Sequence, residues 1–245
     1  MRKLAILSGT MPLLDLGMFD HLKKQSYDGI SGHVALLSGD DLIFIARHGQ
    51  PGDAFTPPHL VNHLANFQTL SRLGVDEVIG IYSTGSMKVD MGPGTLIIPD
   101  DFICLYPTPT SVTEAPHHIT PFIDAGVRLG LIHAARARAI DVHDGGVYWQ
   151  TAGPRLETKA EIRMMANSAD MVGMTLASEA VLAREFGMAF GAMCSIDNYA
   201  HGIGAGVLKD DDIRIQAKRN AEKIGRIVSR YIEDLRLRTP PTDRA

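Results

Sequence analysis

Short apolar runs separated by stretches of helical periodicity constrain this chain more than any other feature. Residues 4–7, 34–37, 42–46, 78–82, 96–98, 147–149 and 188–196 have the length and composition of strands. Helical patterns lie between many of them, at residues 59–73, 123–139, 158–168, 178–186 and 210–236. Such alternation predicts an α/β fold with a largely parallel or mixed central sheet flanked by helices. No repeat, low-complexity segment or linker divides the chain. Residues 1–238 therefore read as one domain, and residues 239–245, with Pro240 and Pro241, as a frayed tail.

Two helix starts have a physical signature. Thr158 and Glu161 have the spacing of a capping box. Asp210, Asp211 and Asp212 put negative charge on the first turn of the last helix, and Arg236 and Arg238 put positive charge at its end, as the helix dipole favours. Along that helix Ala217, Ala221, Ile224, Val228, Tyr231 and Leu235 form a stripe expected to pack on the sheet rather than on a partner helix.

At 245 residues the chain can bury a full core. Its formal net charge of -4 gives no attraction to nucleic acid or an anionic membrane, so a bound phosphate must be held by a local site. No apolar run approaches the roughly 20 residues that span a bilayer. Met1 to Gly9 is basic and then apolar but too short for a secretory signal, and reads as a buried first strand. Cys104 and Cys194 lack metal-ligand spacing, so reduced thiols and a cytoplasmic location are expected.

Ligands of α/β sheets bind at strand ends, and several strand ends here are polar. Leu7-Ser8-Gly9-Thr10 closes the first strand with a small turn and a hydroxyl, which suits an oxyanion or a plain turn. Arg47 and His48 end another strand and offer a planar fork and a donor or proton; a surface ion pair is the alternative. Tyr82-Ser83-Thr84-Gly85-Ser86 supplies hydroxyls after a third strand, and Thr175 ends a fourth. Together these donors predict a phosphate cradle better than any one of them alone.

Other residues suit a nucleoside. Met174 is a soft surface for a sugar ring, although most methionines are core. Asn198 can accept from N7–H and donate to O6 of a purine. An ionised Glu157 accepts only, so it matches N1–H of hypoxanthine or guanine and opposes the N1 lone pair of adenine; a helix first-turn charge is its other reading. His59 and His63 have helical metal-pair spacing without a third ligand, and no metal is expected. Gly202, Gly204 and Gly206 do not form the dinucleotide fingerprint, and no Walker loop or nucleophile elbow occurs.

The Gly9-Thr10 turn, Ala46-Arg47-His48-Gly49, Val61-Asn62 with Ala65-Asn66, Gly85-Ser86 and Pro93-Gly94-Thr95 with Pro99-Asp100 follow in order along the chain. Gly153-Pro154-Arg155 and Val172-Gly173-Met174-Thr175 with Glu179 continue the series. In this order the chain resembles the trimeric purine nucleoside phosphorylase and methylthioadenosine phosphorylase family over nearly its whole length. The resemblance implies a single-domain, three-layer fold with a central mixed sheet. It implies Thr10, Arg47, His48, Ser83 and Thr175 as phosphate ligands and Met174 as the ribose contact. Asn198, Tyr199 and Ala200 occupy the base-recognition segment, with Glu157 and Asn198 resembling the 6-oxopurine enzymes. His118 (or His117) is similar to a histidine donated across a subunit boundary.

The implied activity is reversible phosphorolysis of methylthioinosine, inosine or guanosine to free base and sugar 1-phosphate. Asn198, Glu157 and His48 would act in catalysis, inorganic phosphate would be co-substrate, and neither metal nor organic cofactor is implied. A homotrimer or dimer of trimers is the expected assembly, without nucleic acid or membrane partners. The alternatives are a methylthioadenosine phosphorylase, a hydrolytic nucleosidase and a silent nucleoside-binding protein. Three departures from the family stand out: fewer glycines in the first turn, a short segment between Ile103 and Phe122, and Tyr82, expected to crowd the phosphate pocket.

Overall fold

The computed structural model describes residues 2–9, 12–50, 52–114, 118–204 and 210–238, the side chains of 210–212 and 238 excepted. Thr10, His117 and the 239–245 tail therefore lie outside the described residues.

Within them the chain is a mixed α/β structure whose strands form one sheet. They are β1 (Leu4–Ser8), β2 (Lys23–Gly29), β3 (Gly32–Ser38), β4 (Leu42–Ala46), β5 (Glu77–Ser86) and β6 (Leu96–Ile98). Then come β7 (Asp101–Cys104), β8 (His143–Asp144), β9 (Val147–Gln150), β10 (Met171–Gly173) and β11 (Ala189–Tyr199). The helices are α1 (His63–Arg72), α2 (Ala125–Ala137), α3 (Lys159–Met165), α4 (Leu176–Glu185) and α5 (Asp210–Arg238). The main path runs β2-β3-β4-β1-β5-β10-β9-β7, with β11 joined to both β5 and β6.

The hub is β5. Its first half, Glu77 to Ile81, pairs in parallel with the whole of β1, and β11 follows its other edge in parallel. Past Ser8 the neighbour changes: β10 pairs antiparallel with Gly85 and Ser86. The sheet thus splits where the parallel strands β1, β4, β5 and β11 reach their carboxyl ends, the place where α/β sheets leave a ligand crevice.

Strand alternation sorts the core into two layers. Leu4, Ile6, Phe44, Ile79, Ile81 and Met193 face α2 and α5. Ala5, Leu7, Ile43, Ile45, Val78 and Tyr82 face α1 and α4. Phe67 and Leu70 of α1 are fully buried there, each stabilising by about 1.5–3 kcal/mol. The stripe on α5 is buried as the sequence predicts, on α2 as well as the sheet. Gly130 admits the Tyr231 ring, since a Cβ there would lie 2.6 Å from Cε2. None of the described helices is long and apolar enough to cross a membrane.

Several boundaries differ from the sequence expectations. The helix expected from residue 59 begins at His63: Pro58–Leu60 makes a separate 3-10 turn, and Asn62 caps α1 by accepting from Ala65 N–H at 3.0 Å. His59 and His63 therefore share no helix face. Strands β2, β7 and β8 carry too little apolar pattern to be predicted, whereas β10 ends just before Thr175, as the sequence suggests; β2 is a polar edge strand, exposed over most of its length. The capping box at α3 is present in both directions, Thr158 Oγ1 accepting from Glu161 N–H and Glu161 accepting from Thr158 N–H.

Candidate active site

A cavity of about 230 Å³ opens at the split in the sheet. Gly9, Arg47, His48, Ser83, Met174, Thr175, Glu157, Asn198 and Ala200 all line it. The polar ends of β1, β4, β5, β10 and β11 thus meet in one place. His118 is exposed and lines none of the described cavities, so this chain does not bring it to the site. Tyr199 is also turned away: its hydroxyl donates to Val89 C=O at 3.0 Å.

Arg47 differs from the sequence expectation of a free fork for phosphate. Nε and Nη2 donate to the two oxygens of Glu179, the latter at 2.9 Å. Nη2 also reaches Leu7 C=O at 3.2 Å and Nη1 reaches Ile81 C=O at 3.3 Å. Both partners are buried, Arg47 at 4% exposure and Glu179 at 0%. Burial works against the Glu179 charge, yet the field of Arg47 and the bonds from His63 and Arg47 outweigh it and hold the carboxyl below its ordinary range. Nη1, besides its bond to Ile81 C=O, faces Gly9; a Cβ on Gly9 would stand 2.9 Å from Nη1 and 3.2 Å from His48 Nε2. Only a glycine avoids that crowding.

Tyr82 does not fill the cavity. Its ring folds back along β5 over Gly80, where a Cβ would meet the hydroxyl at 2.0 Å, and that hydroxyl donates to Glu179 Oε2 at 2.6 Å. Arg47 lies 4.8 Å above the ring centroid, a cation–π contact that adds to the clamp.

His48 is fixed by Nδ1, 2.7 Å from Thr56 C=O. A carbonyl only accepts, so Nδ1 carries the hydrogen. Burial, with Arg47 next to it, pushes the imidazole down to about 4. Thr175 is the N-cap of α4 but its side chain makes no capping bond. Its hydroxyl is thus available to an anion. Its own N–H donates to Tyr148 Oη at 3.3 Å, and Gln150 holds Ser178 through both its amide atoms, which fixes the first turn of α4.

Also lining the cavity, Glu157 accepts at Oε1 from Thr151 Oγ1 at 2.7 Å, leaving Oε2 unengaged among the described residues. Asn198 Nδ2 donates to Tyr199 C=O at 2.8 Å, leaving Oδ1 and one N–H. A bulge between Ile196 and Asn198 turns this strand end. Asp197, inside the bulge, is buried and accepts from Ser195 and Asn220. Burial outweighs the bonds from Ser195 and Asn220, and its carboxyl sits above the ordinary range.

A profile described as the Phosphorylase superfamily matches residues 7–233. The chain belongs to that superfamily. Among its superfamily relatives, a probable 6-oxopurine nucleoside phosphorylase of Archaeoglobus fulgidus is 43% identical over 82% of each chain. A probable S-methyl-5′-thioinosine phosphorylase of Methanocaldococcus jannaschii is 34% identical over 81% of this chain and 80% of its own. The fold is shared with methylthioadenosine phosphorylase from Schistosoma mansoni in complex with adenine: TM-score 0.85, 21% identity, 96% of this chain and 92% of the other.

Sequence reasoning missed the clamp of Glu179, Tyr82 and His63. One signal was available: Glu179 interrupts an otherwise small and apolar face of α4, and such an acid needs a buried partner. Asp197 also went unremarked beside the more familiar Asn198.

Proposed function

We propose that this superfamily member is a purine nucleoside phosphorylase for 6-oxopurine nucleosides. The observation that carries this reading is one cavity lined both by anion donors and by a paired acceptor and amide. Phosphate sits against Arg47, His48, Ser83 and Thr175, with Thr10 the further expected ligand. The ribose lies on Met174, with the purine between Glu157 and Asn198. As the glycosidic bond stretches, its electron pair moves onto the purine. The purine takes up the proton that hydrogenphosphate gives up, Asn198 accepts from N7–H and donates to O6, and the free oxygen of Glu157 accepts N1–H. A phosphate oxygen bonds to C1′ from the other face, giving free base and sugar 1-phosphate. Such catalysis is positioning and charge complementarity.

Adenine nucleosides fit less well, because Oε2 of Glu157 would face the bare N1. The names of the Archaeoglobus and Methanocaldococcus relatives support the same preference. Apolar Pro58, Leu156 and Ile213 on the remaining wall favour a methylthio group at the sugar 5′ position, putting methylthioinosine ahead of inosine and guanosine.

The reading needs no metal or organic cofactor and places the enzyme in the cytoplasm as a homotrimer or dimer of trimers. Leu105, Tyr106 and Met164 are exposed around a second cavity that shares Glu157, which supports a subunit contact close to the site. The test is chromatographic: inosine, guanosine, adenosine, methylthioinosine and methylthioadenosine, each with and without phosphate. Phosphate-dependent release of hypoxanthine or guanine is expected. Equal release without phosphate, or turnover of the adenine compounds alone, overturns the reading.

A further inference from the structure

Asn220 breaks the buried apolar stripe of α5. It is fully buried beside Ala217, Ala221 and Ile224, at a helix position where asparagine is a poor former. A buried amide needs partners, and this one has them. Its Oδ1 accepts from Gln216 Nε2 at 3.1 Å, one turn earlier on the helix. Its Nδ2 lies 2.6 Å from Ser195 Oγ, 2.9 Å from Asp197 Oδ1 and 3.3 Å from Ile196 C=O. These acceptors belong to consecutive residues, and the next residue is Asn198. Ser195 Oγ in turn donates to Asp197 Oδ1, which closes a ring of bonds among Ser195, Asp197 and Asn220.

The same residues are where β11 leaves its regular register. Ile196 pairs with Thr84 and Asn198 with Gly85, so Asp197 is the extra residue of the bulge, without a ladder partner on β5. Before the bulge the strand is well held: Thr84 Oγ1 donates to Ser195 C=O at 2.9 Å, and Gly94 N–H to Ile196 C=O at 2.8 Å. At the bulge itself the ladder does not fix the chain direction. There the Asp197 side chain is tied instead to Ser195 and, through Asn220, to α5.

We propose that Asn220 is a positioning residue for base recognition: by tying Ser195, Ile196 and Asp197 to α5, it sets the direction in which Asn198 presents its amide to the purine. This rests on the reading of Asn198 as the base contact. Asn198 lines the cavity and Asn220 does not, so Asn220 acts through it. Misplacing a group at the reacting centre by about an ångström costs about a hundredfold. The loss falls on departure of the base and on the preference for 6-oxopurines. Arg47 and Thr175 follow other strands, β4 and β10, so phosphate KM is not expected to change with it.

The experiment is a double-mutant cycle on the full chain, with inosine and adenosine as substrates, for the wild type, Asn220→Ala, Asn198→Ala and the two combined. Asn220→Ala is expected to lower kcat for inosine by about 10–100-fold. The inosine-over-adenosine ratio of kcat/KM should fall by about tenfold, with phosphate KM within about threefold of wild type. On the Asn198→Ala background the same substitution should cost less than about threefold, because groups that act through one another are not additive. A loss there as large as in the wild type overturns the proposal, and so does an unchanged inosine-over-adenosine ratio in Asn220→Ala. A second arm uses Asn220→Asp, which sets another carboxyl against Asp197. Adding Asp197→Asn exchanges donor and acceptor across the same contact and should bring inosine turnover and the ratio back within about tenfold of wild type. A folded exchange variant without that recovery overturns the proposal, and this arm decides the matter if Asn220→Ala does not fold. Wild-type inosine turnover in Asn198→Ala would instead overturn the base-site reading, and the role of Asn220 with it.

Discussion

Glu179 holds Arg47 through Nε and Nη2 along one edge of the guanidinium, leaving Nη1 as the nitrogen that faces Gly9 and the cavity. The arginine of the anion end is therefore a fixed donor, already oriented before phosphate arrives. Preorganisation of this kind removes the cost of turning a long side chain at the moment of binding.

Glu179→Gln should expose that dependence. It removes the countercharge from a fully buried cation, and breaking such a pair from one side costs roughly 3–5 kcal/mol. Urea denaturation should show a loss of that order, and phosphate KM should rise more than nucleoside KM. The sign with pH follows from a depressed carboxyl. Its stabilisation is present above the ordinary value of 4.5 and is lost as pH falls below it toward the folded value. The variant's stability should therefore be flatter across that acid range than the wild type's.

Gly9→Ala tests the space at the anion end. Gly9 does not need a left-handed backbone, so the methyl group is opposed only by its neighbours, Arg47 Nη1 and His48 Nε2. Misplacing such groups by an ångström costs about a hundredfold. Phosphate KM should rise by roughly 10–100-fold while melting temperature and nucleoside KM stay near wild type. An unchanged phosphate KM would move the anion elsewhere.

His48 carries its own pH signature. Its folded value, about 4, lies below the ordinary 6.5. The unfolded chain therefore binds more protons between those values, so the His48 contribution is present above 6.5 and fades as pH falls toward 4. Nuclear magnetic resonance of the ligand-free protein should find this ring neutral, with hydrogen on Nδ1, throughout the neutral range. A ring titrating near 6.5 would contradict the environment described.

The α/β class and most of the long strands were legible in the sequence because buried parallel strands are continuous apolar runs. β2 and β8 were not: one is a polar edge, the other two residues paired to β6 only by long-range contact. At the site, the convergence of Arg47, His48, Ser83 and Thr175 followed from polar residues at strand ends. What each one bonds did not follow. The Arg47–Glu179 pair spans 132 positions and forms only when α4 packs beside the end of β4. Tyr82 looked like an obstruction because sequence carries no sign that its ring folds over Gly80.

Glu157→Gln should relax base selection. The oxygen of the substituted amide can still accept from Thr151, while its NH2 group replaces the oxygen left for N1–H. Inosine then loses its acceptor and adenosine gains a donor for its N1. The ratio of kcat/KM for inosine over adenosine should drop by about a hundredfold or more, with little change in phosphate KM. A preserved ratio would place base discrimination on Asn198 alone.

Asp197→Asn should stabilise the protein. The carboxylate is buried, and Oδ2 has no hydrogen-bond partner among the described residues. An asparagine keeps Oδ1 to accept from Ser195 and Asn220 and replaces Oδ2 with a donor that Ser83 Oγ can accept. For a carboxyl raised above its ordinary 3.8, the contribution to stability is full below that value and is lost as pH rises through the folded value. At neutral pH the wild type therefore carries the cost of a buried charge that the variant lacks. A rise of about 2–4 °C in melting temperature corresponds to roughly 1 kcal/mol in a chain of this size. The gain should vanish in acid, where the wild-type carboxyl is protonated. A variant less stable than wild type at neutral pH would mean that the charge at Asp197 is itself required to hold the bulge that aims Asn198.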